Sequence, residues 1–179
     1  SGGMLNLGIA EVQDDPGDPY SIALRINNRG EIVGETGGYA FLWTNKLGMV
    51  LLSTVQPFWK YSRAWDINDN GRIVGSCLVN YPEEYHAVLW TDVSEIQDLG
   101  TMKIHSQALG INIFGEVVGG SSDNWYHDRI GSCFNKENGW YLFDHSCVAF
   151  IWSAKNGMSL LPILEGGDAS SAHAINDKG

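Results

Sequence analysis

The chain reads as an all-β protein of antiparallel four-stranded repeats, and three observations lead there. One pattern recurs: Ser21-Ile-Ala-Leu-Arg-Ile-Asn-Asn-Arg-Gly-Glu-Ile-Val-Gly34 returns as Ser62 to Gly75 and Ser106 to Gly119, and opens again at Ser170. A second pattern follows each full copy: Ala40-Phe-Leu-Trp43, Ala87-Val-Leu-Trp90 and Ala149-Phe-Ile-Trp152. No segment holds a helical period for three turns, whereas the repeated segments alternate with the period of two that marks strands. A unit of this kind buries its apolar face only against its neighbours, so repetition dictates architecture.

Each unit divides into four strands. In the first, Ser21, Ala23, Arg25 and Asn27 alternate with Ile22, Leu24 and Ile26, which places the three apolar residues on one face. Gly30, Gly71 and Gly115 follow where a tight hairpin needs a residue tolerant of positive φ, and Asn70-Gly71 is the strongest turn pair among them. The Ile-Val-Gly strand comes next, then the strand ending in Trp, then Gly48-Met-Val-Leu-Leu52 and its counterparts Glu95–Leu99 and Gly157–Leu161. Ala23, Ala64, Ala108 and Ala172 stand where small side chains let sheets approach, and each repeated Trp offers a wedge between them.

These boundaries give one domain over 1–179, with repeats 21–53, 62–100 and 106–164. Residues 3–8 match a last strand and 170–179 match a first. Start-to-start spacings are 41, 44 and 64 residues, so the third copy carries an insertion, residues 121–147.

The Ser-x-Ala-x-x-Ile-Asn-x-x-Gly-x-Ile-Val-Gly pattern, completed by His-Ala-Phe-Leu-Trp, resembles the HAF-type repeat, a bacterial repeat of roughly forty residues. The resemblance implies β-propeller-like blades and an extracellular or periplasmic location, and it implies no activity. Only His86 keeps the family's histidine; Tyr39 and Val148 replace it in the other copies. Four strands every forty-odd residues suit propeller blades, with a β-prism or an open β-solenoid as the alternative. Three full units are fewer than the roughly four that close a propeller. Open edges invite pairing, so a homo-oligomer, for instance a dimer, is the expected partner arrangement, with a fragment of a larger propeller as its rival.

Composition narrows the function classes. A formal charge of −10 and eleven scattered Lys and Arg argue against nucleic acid and anionic membranes as partners. No stretch approaches the roughly 18–20 apolar residues of a membrane span, and no secretory signal precedes Met4. The 44% hydrophobic content, with seven Trp, supports a substantial core.

The insertion is the candidate ligand site, because functional residues concentrate on loops carried by rigid scaffolds. Asn138-Gly139 predicts a hairpin that returns through Trp140-Tyr141-Leu-Phe143, preceded by Trp125 and Tyr126. Trp125, Tyr126, Trp140, Tyr141 and Phe143 suit stacking on a glycan or covering an apolar patch of a protein ligand. The plainer reading is that these rings fold back over the sheet or bury a subunit contact.

Three cysteines allow a Cys133–Cys147 staple with Cys77 left over. His127, Cys133, His145 and Cys147 make a Cys2His2 set whose spacing matches no standard zinc finger. Asp66-Ile-Asn68-Asp-Asn70-Gly71 imitates a calcium loop, but Cys77 stands where the bidentate Glu belongs. No metal and no cofactor is therefore expected.

No catalytic residue is assigned. The repeat position at 25, 66, 110 and 174 holds Arg, Asp, Gly and Ala, so no ring of acids forms there. Neither a phosphate loop, a Gly-x-Ser-x-Gly elbow nor His-Glu-x-x-His is present. The expected function is a non-catalytic module for protein or glycan binding and assembly. The alternative is a glycan-active hydrolase drawing on Asp123, Asp128, Asp144, Glu83 and Glu84.

Overall fold

The computed structural model describes residues 5–9, 20–55, 61–80, 84–123, 134–137, 140–143 and 146–179. Within them the protein is all-β. Strands β1 (Ser21–Ile26), β2 (Ile32–Thr36), β3 (Tyr39–Thr44) and β4 (Gly48–Leu51) make a first antiparallel sheet in chain order. The second sheet runs β5 (Ser62–Ile67), β6 (Ile73–Asn80), β7 (Glu84–Asp92) and β8 (Glu95–Gly100). The third holds β9 (His105–Ile111), β10 (Val117–Ser122), β13 (Val148–Ser153) and β14 (Gly157–Leu160). Between β10 and β13 the insertion forms its own hairpin, β11 (Phe134–Glu137) with β12 (Trp140–Phe143).

The unbroken alternation expected of the first strands is corrected by the pairing. A β-bulge interrupts each of them, between Ala23 and Arg25, between Ala64 and Asp66, and between Ala108 and Gly110. An extra residue on one strand moves every later side chain to the other face. Ala64 and Ile67 thus share one face and enter one core cluster, although they differ in parity. Where the bulge narrows the gap to the second strand, only glycine fits: a Cβ on Gly75 would lie 1.9 Å from the Arg63 carbonyl oxygen.

The sheets pack face to face in series. One core cluster joins Val33, Ala40 and Leu52 of the first sheet to Ala64, Ile67, Ile73, Val88 and Trp90 of the second. The other joins Val74, Ala87, Leu89 and Leu99 to Ala108, Ile111, Val117, Phe150 and Trp152 of the third. Trp90 is the largest fully buried side chain, and its indole N–H donates to the Ser53 carbonyl at 2.8 Å. The wedge role read from the repeated Trp therefore holds at both interfaces.

The repeated Ser and Asn turn out to be the fasteners between units. Ser62, Ser106 and Ser170 hydroxyls accept the amides of Ala40, Ala87 and Ala149 in the preceding unit, at 2.9, 2.8 and 2.9 Å. Asn27, Asn68 and Asn112 each work in two directions. Asn68 Oδ1 accepts the Asn70 and Arg72 amides at 3.0 Å and closes its own turn, while Nδ2 donates to the Asn112 carbonyl at 2.9 Å. Asn27 reaches the Asn68 carbonyl at 3.0 Å, and Asn112 reaches that of Asn176 at 3.3 Å. The relay runs through four copies of the motif.

Asn68→Asp keeps the acceptor but puts an oxygen against the Asn112 carbonyl at a buried position. It is expected to cost about 1–3 kcal/mol, since a buried polar group loses its partner. Urea unfolding measures this, and an unchanged midpoint would show that the relay carries no stability.

The fourth copy docks without a sheet of its own. Ser170 N donates to the Cys147 carbonyl at 2.9 Å and Ala172 N to that of Gly119 at 3.3 Å, yet 170–176 pair with no strand among the described residues. Residues 5–9 likewise carry no strand.

Candidate functional site

The insertion hairpin expected from Asn138-Gly139 is present as β11 and β12, in the register Phe134 with Phe143, Lys136 with Tyr141 and Glu137 with Trp140. Trp140, Tyr141 and Phe143 therefore occupy β12, while Trp125 and Tyr126 lie outside the described residues. The hairpin leaves the third sheet between β10 and β13. The first strands begin at that end of the sheets, because β1, β5 and β9 run antiparallel to the strands that enter the insertion and its counterparts.

That end carries a charged network that the repeat pattern does not announce. Glu35 is buried, 6% exposed, and accepts both the Tyr20 hydroxyl and the Arg63 guanidinium. Arg63 also lies over the Trp65 ring, 4.9 Å from its centroid. An Arg held by a carboxylate and an aromatic face at once is fixed in orientation. Trp65 Nε1 on β5, Gln107 Oε1 on β9 and Ser171 Oγ in the docked fourth copy are buried without a hydrogen-bond partner among the described residues.

At the opposite, turn end, four successive units surround one cavity of about 240 Å³. Ile26, Ile67 and Ile111 line it with the residues after each repeated Asn, namely Asn28, Asp69, Ile113 and Asp177. Sequence reasoning missed this position because it holds Asn, Asp, Ile and Asp in the four copies, with no one residue type throughout. Asp69 accepts the Asn28 amide at 2.9 Å and its side-chain Nδ2 at 2.7 Å. The Asn28 side chain, then its backbone amide, holds the Asp69 carboxyl below the usual range, so it is ionised near neutrality and unsuited to be a general acid. Asp177 accepts the Ile113 amide at 3.0 Å in the same way.

The calcium-loop resemblance resolves into structure. Asp66 accepts the Ile67 and Ile111 amides at 3.0 Å, and burial raises its carboxyl pKa against those bonds and Arg25. Asn68 Oδ1 is occupied by its own turn, and Asn70 Nδ2 donates to Ile113. The oxygens that would face a cation thus serve the turn and the next sheet. Cys147 is disulfide-bonded, which removes its thiolate from the Cys2His2 set; Cys133, His127 and His145 lie outside the described residues. Cys77 is free and buried, and burial pushes its thiol up to about 11.

His86, on β7 next to Ala87, sits in a carboxylate clamp. Its Nδ1 is 2.9 and 3.0 Å from the Asp98 oxygens, and Nε2 is 3.2 Å from Glu84. Hydrogen bonding to Asp98, opposed by burial and aided by both charges, raises the His86 pKa. Glu84 is lowered, mainly by Asn80; Asp98 is lowered because His86 and the Gly100 amide outweigh its burial. Both ring nitrogens are engaged, so this is an ion-pair cluster and offers no open imidazole to a substrate.

A raised folded-state pKa stabilises the fold fully below the unfolded His value of about 6.5, and that contribution fades as pH rises through the folded value. The carboxylates are lowered, so their contribution fades only toward acid. The melting temperature is therefore expected to fall between pH 6 and pH 8.5, and to fall less in His86→Gln. Equal slopes for the two proteins would refute the clamp.

No family model, curated protein or solved structure matches the chain.

Proposed function

We propose that the chain is a non-catalytic binding and assembly module. Its repeated sheets form the scaffold, the 121–147 insertion contacts a protein or glycan ligand, and an open sheet face joins copies of the chain. The resemblance to HAF-type repeats, with propeller-like blades and an extracellular setting, supports the same reading.

The observation that carries it is the face of the first sheet that no sheet fills among the described residues. In the second and third sheets, the side turned to the preceding unit is buried: Ile67 and Ile111 are each 6% exposed, Ala64 and Ala108 fully buried. In the first sheet the equivalent Ile26 is 65% exposed and Ala23 is exposed. Trp43 is half-buried where Trp90 and Trp152 are buried. An apolar face already built to receive a sheet is an association surface.

Light scattering at micromolar concentration is expected to give a mass near twice 19.7 kDa, reduced to the monomer by Ile26→Asp. A monomer at every concentration would end the assembly reading. A glycan array run beside a broad hydrolase screen tests the rest: binding without turnover supports the module, and turnover contradicts it.

A further inference from the structure

We infer that the turn-end cavity is a ligand site in its own right, built for one neutral sugar residue that offers neighbouring hydroxyls. It lies at the end of the sheets opposite the insertion, and it stands independently of what the insertion binds.

The turns around this cavity share one conformation. Asn27 Oδ1 accepts the Arg29 and Glu31 amides at 3.0 Å, and Asn68 Oδ1 accepts those of Asn70 and Arg72 at 3.0 Å. Asn112 Oδ1 accepts those of Phe114 and Glu116 at 3.1 and 2.9 Å. The residue after each Asn therefore aims its amide at the following turn. Asn28 N donates to Asp69 Oδ1 at 2.9 Å, and Ile113 N donates to Asp177 Oδ1 at 3.0 Å. Asp69 repeats the conformation, but the residue in the matching place of the following turn is Ile113, whose side chain holds no acceptor. The Asp69 amide has no hydrogen-bond partner among the described residues. This break lies inside the row, between the second turn and the third.

The acceptors beside that amide keep spare capacity. Each Asp69 oxygen takes one bond from Asn28 and has room for another, and Asp177 Oδ2 takes none among the described residues. Asp69, Ile113 and Asp177 all line the one cavity of about 240 Å³. A ligand seated there must offer an acceptor to the amide and donors to the carboxylates. A cation has no acceptor to give, and an anion meets two carboxylates. A hydroxyl group does both at once, and adjacent hydroxyls on one ring serve the amide and the carboxylates together. The volume falls below the roughly 300–1,000 Å³ of pockets for drug-sized ligands, so the cavity takes a single ring and not an extended chain.

The probes are the methyl glycosides of mannose, glucose and galactose, titrated into the isotope-labelled full chain while amide chemical shifts are followed. At least one is expected to shift the Asp69 amide saturably in the millimolar range. Ile113→Asp gives that amide the internal acceptor present at the steps on either side, so the turn is kept. It is expected to weaken binding at least about tenfold, because the amide no longer lacks a partner. Asp177→Asn keeps the bond to the Ile113 amide and removes only the charge, and should weaken binding about fivefold. An Asp69 amide that no glycoside moves overturns the inference, as does equal binding by the Ile113→Asp protein. Saturation by calcium chloride in place of the glycosides also overturns it. Shifts confined to the insertion remove this site and leave the proposed role of the insertion intact. Shifts at Asp69 with the insertion unmoved support this site alone.

Discussion

Gly75→Val is expected to leave the chain without a cooperative unfolding transition at room temperature. The new Cβ would lie 1.9 Å from the Arg63 carbonyl oxygen and 2.9 Å from Trp90 Cζ3. The first contact is backbone within a bulged ladder, and the second is a ring fully buried between two sheets. Neither can yield without opening the sheet or the interface. Steric insertion at such a point exceeds the roughly 4–5 kcal/mol that marks exceptional substitutions and rivals the stability of a typical domain. Near-ultraviolet circular dichroism and urea unfolding check this; a native-like transition would mean that the bulge relaxes and the close approach is not required. Gly30→Ala, by comparison, meets only the strain of a φ of 76° with open space around it, and should cost about 1 kcal/mol.

Trp90→Ala is expected to destabilise the protein by about 3–5 kcal/mol, the range for removing a buried Trp from a core. The ring fills the interface with Val33, Ala40 and Leu52 across from it, and its loss also orphans the Ser53 carbonyl. At concentrations where the chain is monomeric, Trp43→Ala should cost about half as much or less, because that ring is only half-buried and no sheet among the described residues packs against it from that side. Denaturant midpoints of the two variants decide the matter. Equal losses would show that the first sheet's open face is covered as fully as the others.

Much of the architecture was legible because it is local. Turn glycines, alternating strands, repeated tryptophans and the Asn-Gly hairpin all signal through a few neighbouring residues. The bulge was not legible: Ile22, Leu24 and Ile26 read as an unbroken alternation, and only pairing with the second strand reveals the extra residue. The relay was hidden for a different reason. Ser62 and Asn68 look like ordinary strand-edge and turn residues, and their partners lie 22 and 44 positions away. The turn-end cavity escaped because Asn28, Asp69, Ile113 and Asp177 share a place in the repeat while ranging from amide to carboxylate to aliphatic side chain. The insertion was marked by its length alone, and length names a place without naming a ligand.

The relay of asparagines also sets an order of opening. Each unit's stability is the sum of its own sheet and the contacts to its neighbours, as in any linear array. Among the described residues the middle sheet has a neighbour on each side, while the first has one on one side only, so β1 is the weakest link of the three first strands. At concentrations where the chain is monomeric, amide exchange should therefore be fastest in β1, slower in β9 and slowest in β5, a gradient along one motif written three times in nearly the same letters.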